Sequence, residues 1–112
     1  MSIQVASQWS ITRDQLPQVE CALAKIQQHI RLEHPGIRGV RTWRLLMGNG
    51  QAVPAFLWME EYESLSAYEE SSAREYTPAC DAVWAPIYAS LVPGTFTRSL
   101  LLYQGREGWF TR

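Results

Sequence analysis

Within the first thirty residues the spacing of apolar side chains changes once, from every second residue to every third or fourth. Ile3, Val5, Trp9 and Ile11 share one parity, and Gln4, Gln8 and Ser10 take the other. That is the pattern of a half-buried strand. Leu16, Val19, Leu23, Ile26 and Ile30 then follow at spacings of 3, 4, 3 and 4, which predicts one apolar stripe on a helix from about Asp14 to Glu33. Thr12 or Asp14 is suited to cap its first turn, and Pro17 is tolerated there because early helical amides lack acceptors. His34-Pro35-Gly36 is expected to end it, with Pro disfavouring helix before it and Gly permitting positive φ.

Val40 to Met47 predicts a second strand with apolar groups on both parities. Gly48-Asn49-Gly50 is a turn signal, and Ala52 to Tyr62 resumes extended character as the return strand of a hairpin. Pro54 near its start marks a ladder end or an edge. Ser64 begins a second helical region, in which Ser66 and Glu69 have capping-box spacing. That region breaks near Tyr76-Thr77-Pro78, where Thr caps and Pro takes the first helical position. Val83, Trp84, Ile87, Tyr88 and Leu91 form the next stripe, which Pro86 should bend or restart. Pro93-Gly94 ends the helix, and Thr95 to Tyr103 is the last strand.

The order is strand, helix, strand, strand, broken helix, strand. It predicts an α+β, ferredoxin-like βαββαβ domain over residues 1–104, with a four-stranded antiparallel sheet and a tail over 105–112. Helices cover one face of such a sheet. Leu100 and Leu102 on one parity, with Leu101 and Tyr103 on the other, predict burial on the second face too, hence a homodimer packed sheet to sheet.

Composition removes several function classes. A net charge of −1 argues against nucleic-acid binding through a basic patch. No apolar run approaches the roughly 20 residues that span a bilayer, so no membrane partner is expected. The beginning of the chain has no secretory pattern, and Cys21 and Cys80 lack a CxxC partner; a disulfide between them is formally possible, but a cytoplasmic protein with buried free thiols is the expectation.

The segments His34-Pro35-Gly36-Ile37-Arg38-Gly39 and Leu57 through Tyr68 resemble those of the dimeric α/β-barrel superfamily of ferredoxin-like proteins. That superfamily includes antibiotic-biosynthesis monooxygenases and NIPSNAP-type proteins. The likeness rests on a Pro-Gly-x-x-Gly bend and on an aromatic residue, a spacer and a Ser entering the second helix, here Tyr62, Glu63 and Ser64. It implies a barrel of two back-to-back sheets, with a pocket in each protomer between sheet and helices. Oxygenation of an electron-rich ring without a cofactor, or a proton-transfer cyclisation, is the activity it implies. Tyr62 stands where the oxygenases usually carry Trp, while Tyr68 matches a Tyr of some members. The haem-degrading branch is disfavoured, since no His follows His34.

Candidate site residues divide by chemistry. Glu60 and Glu61 point to opposite faces of a strand, so one faces inward near Trp58 and Tyr62, where a carboxylate in an aromatic pocket suits acid or base work. Arg98 shares the parity of Phe96, Leu100 and Leu102, and either binds an anionic or phenolate substrate or pairs with Glu60. Tyr62, Tyr68 and Trp58 would orient a substrate. Trp9, Trp43, Trp58, Trp84 and Tyr88 would line a pocket for a flat apolar molecule, or else fill the core and dimer seam. His29 and His34 are five residues apart, about 140° around a helix, and so cannot act as i,i+4 ligands. His34 near the helix end suits terminal carbonyls, His29 suits Glu33, and neither a metal nor another cofactor is predicted. A small-ligand enzyme and a non-catalytic binding or interaction module remain open alternatives. A cavity of about 300 Å³ or more between sheet and helices, with polar groups converging on it, separates them.

Overall fold

The computed structural model describes residues 3–46, 54–73 and 77–102. The elements run β1 (Ile3–Ser10), a 3-10 turn (Arg13–Gln15), α1 (Leu16–Glu33), β2 (Ile37–Leu45), β3 (Ala55–Tyr62), α2 (Leu65–Ala73), α3 (Pro78–Ser90) and β4 (Thr97–Leu102). The strands form one antiparallel sheet in the order β2-β3-β1-β4. This is the ferredoxin-like α+β arrangement, with the second helical region divided into α2 and α3. Met47, the Gly48–Gly50 turn, the start of the third strand at Ala52, the break at Tyr76, Tyr103 and the tail with Trp109 lie outside the described residues.

Parity decides the core. Ile3, Val5, Ser7 and Trp9 of β1 are buried on the face that β3 matches with Phe56, Trp58, Glu60 and Tyr62. Val19, Ala22, Leu23, Ile26 and Ile30 of α1 close over it, joined by Ile87 of α3. Trp9 is fully buried and lies near Phe56 and Phe96, ring centroids 6.0 and 6.4 Å away. A second cluster gathers Ile3, Val5 and Tyr62, with Tyr68 of α2 packed against it.

Several local expectations are corrected. No side chain caps α1: Thr12 holds the 3-10 turn through its carbonyl, which accepts from Gln15 N at 3.0 Å, and Gln15 precedes the helix. Gly36 does not use positive φ; among the described residues only Gly94 does, at +77°. β2 starts three residues early because the Pro35-Gly36 turn is tight enough for Ile37 to pair with Tyr62, and a bulge between Ile37 and Gly39 absorbs Arg38. β3 is central, so Pro54 marks a ladder end, its carbonyl accepting from Ile11 N. Ser64, not Ser66, caps α2: its Oγ accepts from Ala67 N at 3.1 Å and its carbonyl from Tyr68 N.

Pro86 sits inside α3 without ending it. Its exposed side of the helix lets the carbonyl that loses its amide partner face water. Thr95 does not open β4. Its Oγ1 accepts from Ser10 N and donates to Val92 O at 2.7 Å, tying the turn after α3 to the end of β1. Thr77 caps α3 as expected, its Oγ1 accepting from Cys80 N at 3.2 Å. No described helix is long and apolar enough to cross a membrane.

Candidate functional site

A cavity of about 240 Å³ opens between the inner sheet face and the helices. Ser7, Glu60 and Arg98 reach it from the strands, Phe96 from the turn before β4, His29, Ile30 and His34 from α1 and its end, and Cys80, Asp81, Trp84 and Tyr88 from α3. Its volume falls somewhat short of the range typical of drug-sized ligand pockets, roughly 300–1,000 Å³. Polar groups nevertheless converge on it from six elements: Ser7 of β1, Glu60 of β3, Arg98 of β4, His29 of α1, Ser71 of α2 and Cys80 and Asp81 of α3. A smaller cleft of about 60 Å³ lies on the other side of His34 and Ser71.

Glu60 is the acidic group that the sheet pleat turns inward, and it is buried. Trp58 Nε1 donates to its Oε1 at 2.9 Å, and Tyr62 OH donates to its Oε2 at 2.5 Å. A buried carboxylate is tolerated when its oxygens are paired in this way. Two of its roughly four lone-pair positions are thereby used. Glu60 takes two hydrogen bonds from its own strand, and Arg98 reaches the same cavity from β4, on the far side of β1.

The predicted aromatic set divides three ways. Trp84 and Tyr88 line the cavity, their rings stacked at 6.3 Å. Trp58 and Tyr62 are fully buried and act on the site through Glu60, with Trp84 edge-on to Trp58 and Tyr68 edge-on to Tyr62, each at 5.3 Å. Trp9 belongs to the core. Trp43 pairs with Leu57, the neighbour of inward-facing Trp58, and so lies on the outer sheet face away from the cavity.

Sequence reasoning missed Ser7, which shares the parity of Val5 and Trp9, and it separated His29 from His34. A separation of about 140° holds only where the helix continues through both residues. His34 is instead the residue after the helix, at φ −127° and ψ 71°, and its ring comes back to within 5.5 Å of His29. His34 is buried, with Nδ1 3.2 Å from Ser71 Oγ. Cys80 completes a group whose ligand atoms all lie within 4.8 Å of one another. The two imidazoles and the thiol therefore stand together, unlike two side chains about 140° apart on one helix. Both cysteines are free thiols, but only Cys80 is buried as expected; Cys21, which falls between the apolar positions of the α1 stripe, is exposed.

Sequence comparison matches no protein family and no curated protein. Solved structures do match. A protein from Caulobacter crescentus described as a candidate antibiotic biosynthesis monooxygenase superposes with a TM-score of 0.70 at 16% identity, over 89% of this chain and 87% of that one. Another so described, from Deinococcus radiodurans, gives 0.68 at 14% identity over 99% and 100%. A dimeric ferredoxin-like protein of unknown function from Thermobifida fusca gives 0.64 at 18% identity over 92% of each chain. The fold is that of the antibiotic-biosynthesis-monooxygenase-like and dimeric ferredoxin-like proteins. At these identities the likeness establishes that fold, as the sequence resemblance implied, and no particular reaction.

Proposed function

We propose that the protein is a small-molecule enzyme that binds a planar, acidic organic compound in the cavity and uses Glu60 as the proton acceptor. The observation that carries this reading is a buried carboxylate, fixed by Trp58 and Tyr62, on the wall of a cavity also lined by Trp84, Tyr88, Phe96 and Arg98. The stacked rings supply a flat apolar surface, and Arg98 supplies a cation for the oxygen that gains charge. Loss of a proton from a ring hydroxyl or an acidic CH₂ leaves an electron-rich enolate. That enolate either closes a ring or reacts with dioxygen, in which case CH₂ becomes C=O and the second oxygen atom leaves as water. Several structures of this fold are described as antibiotic biosynthesis monooxygenases, which supports the oxygenation branch.

The working unit on this reading is a homodimer packed through the outer sheet face. Trp43, Leu57, Met59 and Leu101 share that face by register, and Trp43 and Leu101 are 43% and 44% exposed in the single chain. The free thiols fit a cytoplasmic setting.

The test combines native mass spectrometry of the protein from its source, to find a retained small molecule, with dioxygen consumption on hydroxylated polycyclic compounds. Glu60→Gln should lower turnover by about 10²–10⁴, the usual contribution of a general base, while the compound still binds. Absence of both a retained molecule and any binding would favour a non-catalytic module.

A further inference from the structure

His29 lies just before the last turn of α1, His34 directly after the helix, and Cys80 in the first turn of α3. Their ligand atoms come within 4.8 Å of one another on the wall of the cavity. We propose that these three side chains bind a zinc-class divalent ion, with its fourth position open to the cavity. This goes beyond the ligand-binding reading above, because metal binding is measured without any turnover.

The donor set selects the ion. A thiolate and two imidazoles suit borderline-soft Zn²⁺, whereas Mg²⁺ and Ca²⁺ take oxygen ligands. Three protein ligands with one position left over is the arrangement of a zinc centre that holds water or substrate. Donors around a tetrahedral zinc, with bonds of roughly 2.0–2.3 Å, stand about 3.3–3.7 Å apart. Closing the group from 4.8 Å therefore asks for movements of order 1 Å, within the reach of side-chain torsions.

The surroundings orient the ligands. In the tautomer that donates from Nδ1 to Ser71 Oγ, 3.2 Å away, His34 carries on Nε2 the lone pair that a metal takes. Cys80 is held at the third residue of α3, its backbone N–H donating to Thr77 Oγ1, where the helix dipole favours a negatively charged ligand. An ion there faces the space lined by Glu60 and Arg98.

The probe is Co²⁺, added to the reduced, metal-stripped full chain. One Co²⁺ per chain should produce thiolate-to-cobalt charge transfer in the near ultraviolet and the strong visible bands of four-coordination, and Zn²⁺ should bleach both. Cys80→Ser should abolish the charge-transfer band, and Cys21→Ser should leave it unchanged. His29→Gln and His34→Gln should each weaken binding by about tenfold or more. His29 is only partly buried, so His29→Gln decides the matter even if Cys80→Ser fails to fold. The proposal is overturned if the wild-type chain shows no charge-transfer band, if the band survives Cys80→Ser or is lost in Cys21→Ser, or if His29→Gln binds as tightly as the parent.

Discussion

The phenol of Tyr62 donates to Oε2 of Glu60, two residues back along the same strand. Residues i and i+2 share a strand face, so the bond needs no help from another element. Trp58, two residues earlier again, serves Oε1. β3 thus builds the seat of a buried carboxylate from its own alternation, and α3 brings Trp84 against Trp58 to close it.

That seat has a measurable energy. Tyr62→Phe removes one hydroxyl and leaves a buried carboxylate short of a donor, which should destabilise the fold by about 1.5–3 kcal/mol. Glu60→Gln made in the Tyr62→Phe background should cost less than in the wild type, with a coupling of about 0.5–3 kcal/mol. Urea unfolding of the four chains measures both. An unchanged midpoint for Tyr62→Phe would show that the bond contributes nothing.

Helix caps give a second check, in which two nearby serines should behave oppositely. Ser64→Ala removes the acceptor for Ala67 N and should cost about 0.5–2 kcal/mol. Ser66→Ala, on an exposed helical position, should stay within about 0.5 kcal/mol of the wild type. Thermal unfolding separates these outcomes, and equal losses would return the cap to Ser66.

Glycine substitutions test the backbone. Gly94 lies at φ +77° with open space where a Cβ would go, so Gly94→Ala should destabilise by about 1 kcal/mol or more through strain alone. Gly36 has a negative φ, and its added Cβ would meet Ala67 at ordinary contact distances of 3.6 and 3.7 Å. Gly36→Ala should therefore be neutral or stabilising by up to about 1 kcal/mol. Denaturant midpoints in the reverse order would contradict the assigned conformations.

The parity of β1, the stripe of α1 and the order of the elements were legible because burial imposes a local period on the side chains. Glu60 was legible for the same reason: it alternates with Trp58 and Tyr62 and must face as they do. The His29–His34–Cys80 group was not. Its two histidines meet because Pro35 stops the helix at Glu33 and His34 turns back, and Cys80 arrives from a helix more than forty residues later. Trp43 was ambiguous because both parities of β2 are apolar, and only its pairing with Leu57 places it outward. Position along a helix or strand is local information. Which residues of distant elements share a wall is set by packing.

The outward placement of Trp43 yields the last prediction. On the outer face it pairs with Leu57 beside Met59, with Leu101 on the same face at β4 and Arg41, Gln4 and Gln8 between them, a mixed surface with apolar groups that a second sheet would cover. Trp43→Asp puts a charge into that seam but touches neither the cavity lining nor the core, since Trp43 is already 43% exposed in the single chain. The variant should therefore keep its far-ultraviolet dichroism while its mass by light scattering at micromolar concentration falls from dimer to monomer. An aspartate desolvated in such a seam costs several kcal/mol unless paired, enough to raise the dissociation constant by a hundredfold or more. A wild-type chain that is already monomeric under those conditions, or a variant that remains dimeric, would remove the outer sheet face as the interface.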